Sequence, residues 1–197
     1  PTLSPRAERF FLLTLAGIQF SHILDFMIMM PLGPILMAAF GIGTHEFGVL
    51  VASYSFSAAL SGVLAATFVD TFERKRLLLI CLALFGLATL ACGLAPSYAL
   101  LMLARGLAGV FGGVLGALVQ TMIGDAIPYS RRARAAGIVS SAFSLSTIAG
   151  VPLSLWLANH LGWRSPFILI AALCALWLAI GQRYLPELRH HLAEARQ

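Results

Sequence analysis

Six apolar runs separated by short polar or charged breaks organise the chain, at about 10–39, 47–69, 77–95, 98–124, 135–158 and 165–185. A helix rises about 1.5 Å per residue, so roughly 20 residues cross a ~30 Å hydrocarbon layer. Each run is long enough to cross once. The pattern predicts an all-α membrane protein of six transmembrane helices, residues 1–185, followed by a polar tail or the start of a linker, 186–197. The first run exceeds a signal-peptide core and ends in no small-residue cleavage pattern, so it reads as a retained span. Pro31 and Pro34 are expected to kink its outer end, since proline removes a helical donor and crowds the preceding turn.

The breaks differ in charge. Arg6 and Arg9 precede the first run, Arg74, Lys75 and Arg76 follow the second, Arg131, Arg132 and Arg134 follow the fourth, and Arg183 stands at the end of the sixth with Arg189 and Arg196 in the tail after it. The alternate breaks hold a single basic residue, Arg164. Positively charged connections stay on the cytoplasmic side, so both termini are expected there, in a multi-pass protein of the inner (plasma) membrane. Tyr98, Tyr129, Trp163 and Tyr184 fall near span ends, where an aromatic belt is expected.

Composition agrees: 59% of residues are hydrophobic and 11% charged, against roughly 45–50% and 25% in soluble domains. Membrane lipid is therefore the main surrounding partner. The net charge of +5 is divided among short interspan clusters, a distribution that points to membrane orientation and not to nucleic acid. Cys81, Cys92 and Cys174 lie inside apolar runs without metal-ligand spacing and read as packing residues. No metal and no cofactor is expected.

Within the first run one position breaks the pattern. Asp25 is the only charged residue between Arg9 and Glu46, roughly 24 Å and 31 Å along a helix from each, near the membrane centre. A carboxylate at that depth is costly and marks a coupling or substrate site. Arg105 lies about 13 Å into the fourth run from Pro96, at a comparable depth, and is the best candidate partner. His22, three positions before Asp25, shares its helical face and is a candidate proton relay. Packing is the competing role for His22, and backbone hydrogen bonding for Arg105. Gln19, Tyr54, Ser57 and Gln120 are further polar residues within the runs that either line a cavity or bond between helices.

The break after the second run reads Ala66-Thr67-Phe68-Val69-Asp70-Thr71-Phe72-Glu73-Arg74-Lys75-Arg76. It resembles the signature loop of the major facilitator superfamily, with the acid and the terminal basic residues kept and both glycines replaced, by Ala66 and Glu73. Arg105 to Gly109 resembles the family's Arg-x-x-x-Gly element. The fifth run, with Gly137, Ser146, Gly150, Pro152 and Ser154, resembles its antiporter motif, although Val151 separates Gly150 from the proline. Asp25 to Pro34 and the Gly150-Val151-Pro152 and Gly162-Trp163-Arg164 segments are similar to the arabinose-efflux and drug-proton antiporter branch.

The resemblance implies six helices arranged as a three-plus-three inverted repeat, one half of the family fold. It implies a cytoplasmic charge network of Asp70, Arg74, Asp125 and Arg131, and antiporter-like helix packing at Gly137, Ser146, Gly150, Pro152 and Ser154. It further implies secondary active transport by alternating access, with proton-coupled efflux of a small organic compound and with Asp25, Arg105 and His22 as the coupling group. One half encloses no path, so the expected partner is a carboxy-terminal six-helix half. A second copy, giving a half-size homodimeric carrier, is the alternative. An intramembrane enzyme is the weaker reading, because His22 and Asp25 are too few ligands for a closed metal site and no nucleophile has a base at helical spacing. A non-transporting receptor has no support in the residues.

Overall fold

The computed structural model describes residues 3–187, and among these every regular element is helical. Eight α-helices build six spans. α1 (Pro5–Met27) and α2 (Met29–Phe40) form the first, α3 (Thr44–Phe68) the second, α4 (Arg74–Leu94) the third and α5 (Tyr98–Ala126) the fourth. α6 (Tyr129–Leu145) and α7 (Val151–Leu161), joined by a π-helical turn at Ser146–Gly150, form the fifth, and α8 (Arg164–Tyr184) the sixth. The expected tail at 186–197 lies mostly outside the described residues.

α1, α4, α6 and α8 start earlier than their apolar runs, taking in arginines and lysines that favour the helix about as well as most residues. Ser4 caps α1 by accepting from the Ala7 amide at 3.3 Å, with Pro5 at the first helical position. Ser97 caps α5 in the same way through Leu100. Gly41, at φ 61°, ends α2 in the left-handed region that favours glycine.

Two interruptions trace to prolines. The first span breaks at Ile28, one turn before Pro31, although the ladder is nearly kept: Ile28 N–H donates to the Leu24 carbonyl at 3.0 Å and Leu32 N–H to the Ile28 carbonyl at 3.1 Å. The bend thus falls nearer the middle of the span than its outer end. The π turn precedes Pro152, which has no N–H for the Ile148 carbonyl and whose ring crowds it. The widened turn relieves this, with the Val151 amide donating five residues back to Ser146.

Helix neighbours reveal the internal symmetry. α1 packs on α6 and α8, while α5 packs on α3 and α4; α4 meets α8, and α1 meets α5. Exchanging spans one to three with four to six maps this set of contacts onto itself. Because each repeat has an odd number of spans, the second is inverted, which is the three-plus-three arrangement.

Polar contacts tie each end. At one, Tyr98 Oη donates to the Glu46 carbonyl at 2.7 Å, and Arg164 donates to the Gly93 and Ala95 carbonyls, both at 2.9 Å. Arg164, the exception to the charge asymmetry, therefore satisfies the carboxyl end of α4. The opposite end carries the basic clusters. Between them α3 and α5 approach most closely: a Cβ on Gly113 would stand 2.2 Å from the Ala58 carbonyl oxygen, and one on Gly109 2.4 Å from that of Tyr54. Only glycine permits this contact.

Candidate functional site

Asp25 and Arg105 lie on different helices, α1 and α5, and both side chains are wholly buried. Arg105 Nη1 donates to Asp25 Oδ2 at 2.8 Å, and Nη2 to the Asp25 backbone carbonyl at 3.3 Å. The guanidinium also lies over the Tyr54 ring, 4.4 Å from its centroid, an arrangement in which the ring face offsets part of the cation's desolvation. One guanidinium thus joins α1 to α5 and rests on α3. Asp25 Oδ1 and Arg105 Nε have no hydrogen-bond partner among the described residues, so one carboxylate oxygen remains available to a proton.

Beside the pair is a cavity of 530 Å³ lined by His22, Ile23, Phe26, Tyr54, Phe143 and the glycine face Gly112, Gly113 and Gly116. Tyr54 separates the cavity from Arg105, and its ring packs 5.6 Å from that of Phe26. Its wall is mainly apolar and aromatic. His22 is the one titratable imidazole there; its Nε2 donates to Gln19 Oε1 at 2.9 Å, and its ring meets Phe85 edge-on. His22 shares a helix with Asp25 but has its hydrogen bond to Gln19. Ser57 donates to the Ser53 and Tyr54 carbonyls, and Gln120 is exposed.

At the basic end, Arg74 is the hub. Though only 3% exposed, its Nη2 reaches Asp70 at 2.5 Å, its Nε reaches Asp125 at 3.0 Å, and its remaining nitrogen donates to the Val69 carbonyl. The second and third spans are thereby fastened to the end of α5. Arg131 is not part of this cluster. It pairs with Glu8 at 2.8 Å and so fastens α6 to α1 instead. Among the described residues the expected four-residue network falls into two separate ion-paired groups, Asp70–Arg74–Asp125 and Glu8–Arg131. Glu8 was missed because its neighbours Arg6 and Arg9 mark it as part of an orientation signal; its position in the first turn of α1 was the available clue.

The fifth-span residues divide. Ser146 is buried, donating to the Ala142 carbonyl at 2.8 Å and to that of Phe20 at 3.4 Å. Gly150 faces α1 so closely that a Cβ would stand 2.8 Å from Leu24 Cδ1. Ser154 is buried as well. Gly137 departs from the expected helix packing: it is exposed, and a Cβ there would meet nothing within 4 Å among the described residues. Pro152 is also exposed and acts on the backbone, through the π turn, rather than in helix packing.

Comparison with known proteins places this arrangement. The chain is 35% identical over 169 residues to the multidrug resistance protein Stp of Mycobacterium tuberculosis, covering 85% of this chain and 32% of Stp. It is 30% identical over 165 residues to the uncharacterized MFS-type transporter YceJ of Bacillus subtilis, covering 84% and 42%. The chain therefore spans well under half the length of these relatives. Among solved structures, a bacterial homolog of the human lysosomal transporter Spinster, inward-facing and unoccupied, superposes with a TM-score of 0.81 at 21% identity, covering 94% of this chain and 44% of that one. The xylose transporter XylE of E. coli, in an inward-open conformation, gives 0.79 at 17% identity, covering 95% and 49%. These two likenesses concern the fold. The sequence profile of the Major Facilitator Superfamily matches residues 15–197. With six membrane-length helices and this match along nearly its whole length, the chain is a multi-pass membrane protein belonging to the major facilitator superfamily of transporters.

Proposed function

We propose that this chain is the amino-terminal six-helix half of a proton-coupled exporter of small organic compounds, with Asp25 as the proton-carrying group. The observation that carries the reading is the fully buried Asp25–Arg105 pair across α1 and α5, beside the aromatic-lined cavity. An ion pair of this kind is a poor source of net stability compared with apolar packing. Its position at the joint between the two repeats suits a switch.

Protonation at Oδ1 neutralises Asp25 and removes the charge that holds Arg105. The guanidinium keeps the Tyr54 ring on α3 and only the longer bond to the Asp25 carbonyl on α1, so α1 is loosened from α5 and shifts while α3 and α5 keep their close glycine contact. Restoring the pair after proton release returns the bundle to its first state. His22, on the cavity wall, relays the proton between the cavity and Asp25. Arg74 and Glu8–Arg131 close the basic end, which faces the cytoplasm, in one of the two states. Substrate occupies the cavity between Phe26, Tyr54 and Phe143, against a second wall supplied by a carboxy-terminal half, and leaves in exchange for the proton. The multidrug resistance name of Stp supports export of organic compounds, and the chain's coverage of 44% and 49% of two transporter structures supports the half assignment.

The test is a transport assay with the full-length protein in proteoliposomes, using a panel of lipophilic cations and neutral aromatic compounds with and without an imposed pH gradient. Accumulation that follows the gradient in wild type and vanishes in Asp25→Asn supports the reading. Gradient-independent movement, or coupling that survives the substitution, contradicts it. Chemical cross-linking in detergent separates a twelve-span monomer from the homodimeric carrier.

A further inference from the structure

A second cavity lies at the basic end between α1 and α6, with a volume of 190 Å³. Arg9, Arg131 and Arg134 form its mouth. Glu8 neutralises Arg131, while Arg9 and Arg134 are exposed and have no side-chain partner among the described residues. Among the described residues the mouth therefore carries two uncompensated positive charges. Its floor is apolar: Leu12, Ala135 and Ile138. Ile138 also lines an adjacent, larger cleft of 490 Å³ between α1, α6 and α8, which reaches Phe20 and has Leu173 and Trp177 among its lining residues, so the two cavities meet at this side chain. From Arg9 to Phe20 the groove follows eleven helical residues, roughly 17 Å, a length that suits an extended acyl chain.

We propose that this groove binds an anionic phospholipid, with its phosphodiester between Arg9 and Arg134 and one acyl chain in the cleft beside Trp177. The assignment rests on charge complementarity joined to an apolar extension. Arginine holds a phosphate through paired N–H donors, and basic pockets between transmembrane helices attract anionic headgroups. Free phosphate would satisfy the mouth and leave the cleft without a role. A zwitterionic lipid would fill the cleft and leave the two arginines unneutralised. Because Arg131 shares the mouth with its latch partner Glu8, a bound headgroup stands against the contact that joins α6 to α1, so lipid composition would bias that latch.

Native mass spectrometry of the full-length protein, equilibrated in mixed micelles of equal palmitoyl-oleoyl phosphatidylglycerol and phosphatidylcholine, tests this. Wild type should retain phosphatidylglycerol in preference to phosphatidylcholine. Arg9→Gln and Arg134→Gln should each lower that preference about five-fold, the yield of one basic residue near an anionic headgroup, while Arg134→Lys, which keeps the charge without the paired donors, should lower it less and the distant Arg76→Gln should keep it. Ile138→Trp, which obstructs the passage and leaves every charge in place, should also lose it. Millimolar inorganic phosphate should displace nothing. No lipid preference in wild type, as expected if a segment of the protein itself fills the groove, would overturn the proposal. So would an equal loss in Arg76→Gln, full preference in Arg9→Gln/Arg134→Gln, or displacement by inorganic phosphate.

Discussion

Removing either member of the buried pair should cost far more than removing both. At 2.8 Å and an effective dielectric of about 20, the attraction between the charges is roughly 6 kcal/mol. Desolvation of two fully buried ions opposes it by several kcal/mol each, so the pair as a whole contributes little net stability. Arg105→Gln leaves the Asp25 carboxylate buried without its cation, and Asp25→Asn leaves the guanidinium with only the Asp25 carbonyl and the Tyr54 ring. Each single change should destabilise by about 3–5 kcal/mol. For a unit of this size, that lowers the unfolding midpoint by roughly 6–20 °C. The loss in the double variant should fall well below the sum of the two single losses, and below either one alone. Cys81, Cys92 and Cys174 are buried and free, so a thiol-reactive dye that fluoresces on reaction reports their exposure during heating in detergent. Single variants within about 1 kcal/mol of wild type, or a double variant whose loss is the simple sum, would refute the view that these two charges hold each other in the membrane interior.

Further predictions use the same thermal assay. Gly113→Ala should destabilise by about 1–3 kcal/mol, because its Cβ meets backbone that must move, whereas Gly106→Ala, with nothing within 4 Å among the described residues, should be neutral or slightly stabilising. Arg74→Gln should cost about 2–3 kcal/mol, since a buried side chain loses two carboxylates and a carbonyl. Arg131→Gln should cost less, about 1 kcal/mol, because that arginine is 43% exposed even though its partner Glu8 is only 15% exposed. Equal losses for Arg74→Gln and Arg131→Gln would contradict the separation into an inner hub and an outer latch.

The six spans were legible because lipid demands long apolar helices, and the alternation of arginine-rich and arginine-poor breaks identified the two ends. Asp25 and Arg105 were legible for the opposite reason: each is costly at its depth, and counting residues brought both to a similar level. Direct pairing required the relative rotation of α1 and α5, which side-chain packing sets and depth does not. Arg131 illustrates a different gap. Several carboxylates lie at the basic end, and the choice of Glu8 over Asp125 depends on α6 standing beside α1. Pro152 was visible as a motif residue, but its effect, a π turn at Ser146–Gly150, arises from a carbonyl four residues back. Gly137 shows the limit of reading small residues as packing residues, since small size permits close approach without supplying a neighbour.

Transport by Asp25→Asn most directly tests the account. The variant, reconstituted at full length and assayed below its own unfolding midpoint, should insert normally and bind within the same cavity while losing all pH-gradient-driven substrate movement. Gradient-driven transport by Asp25→Asn at the wild-type rate would show that the proton travels by another group.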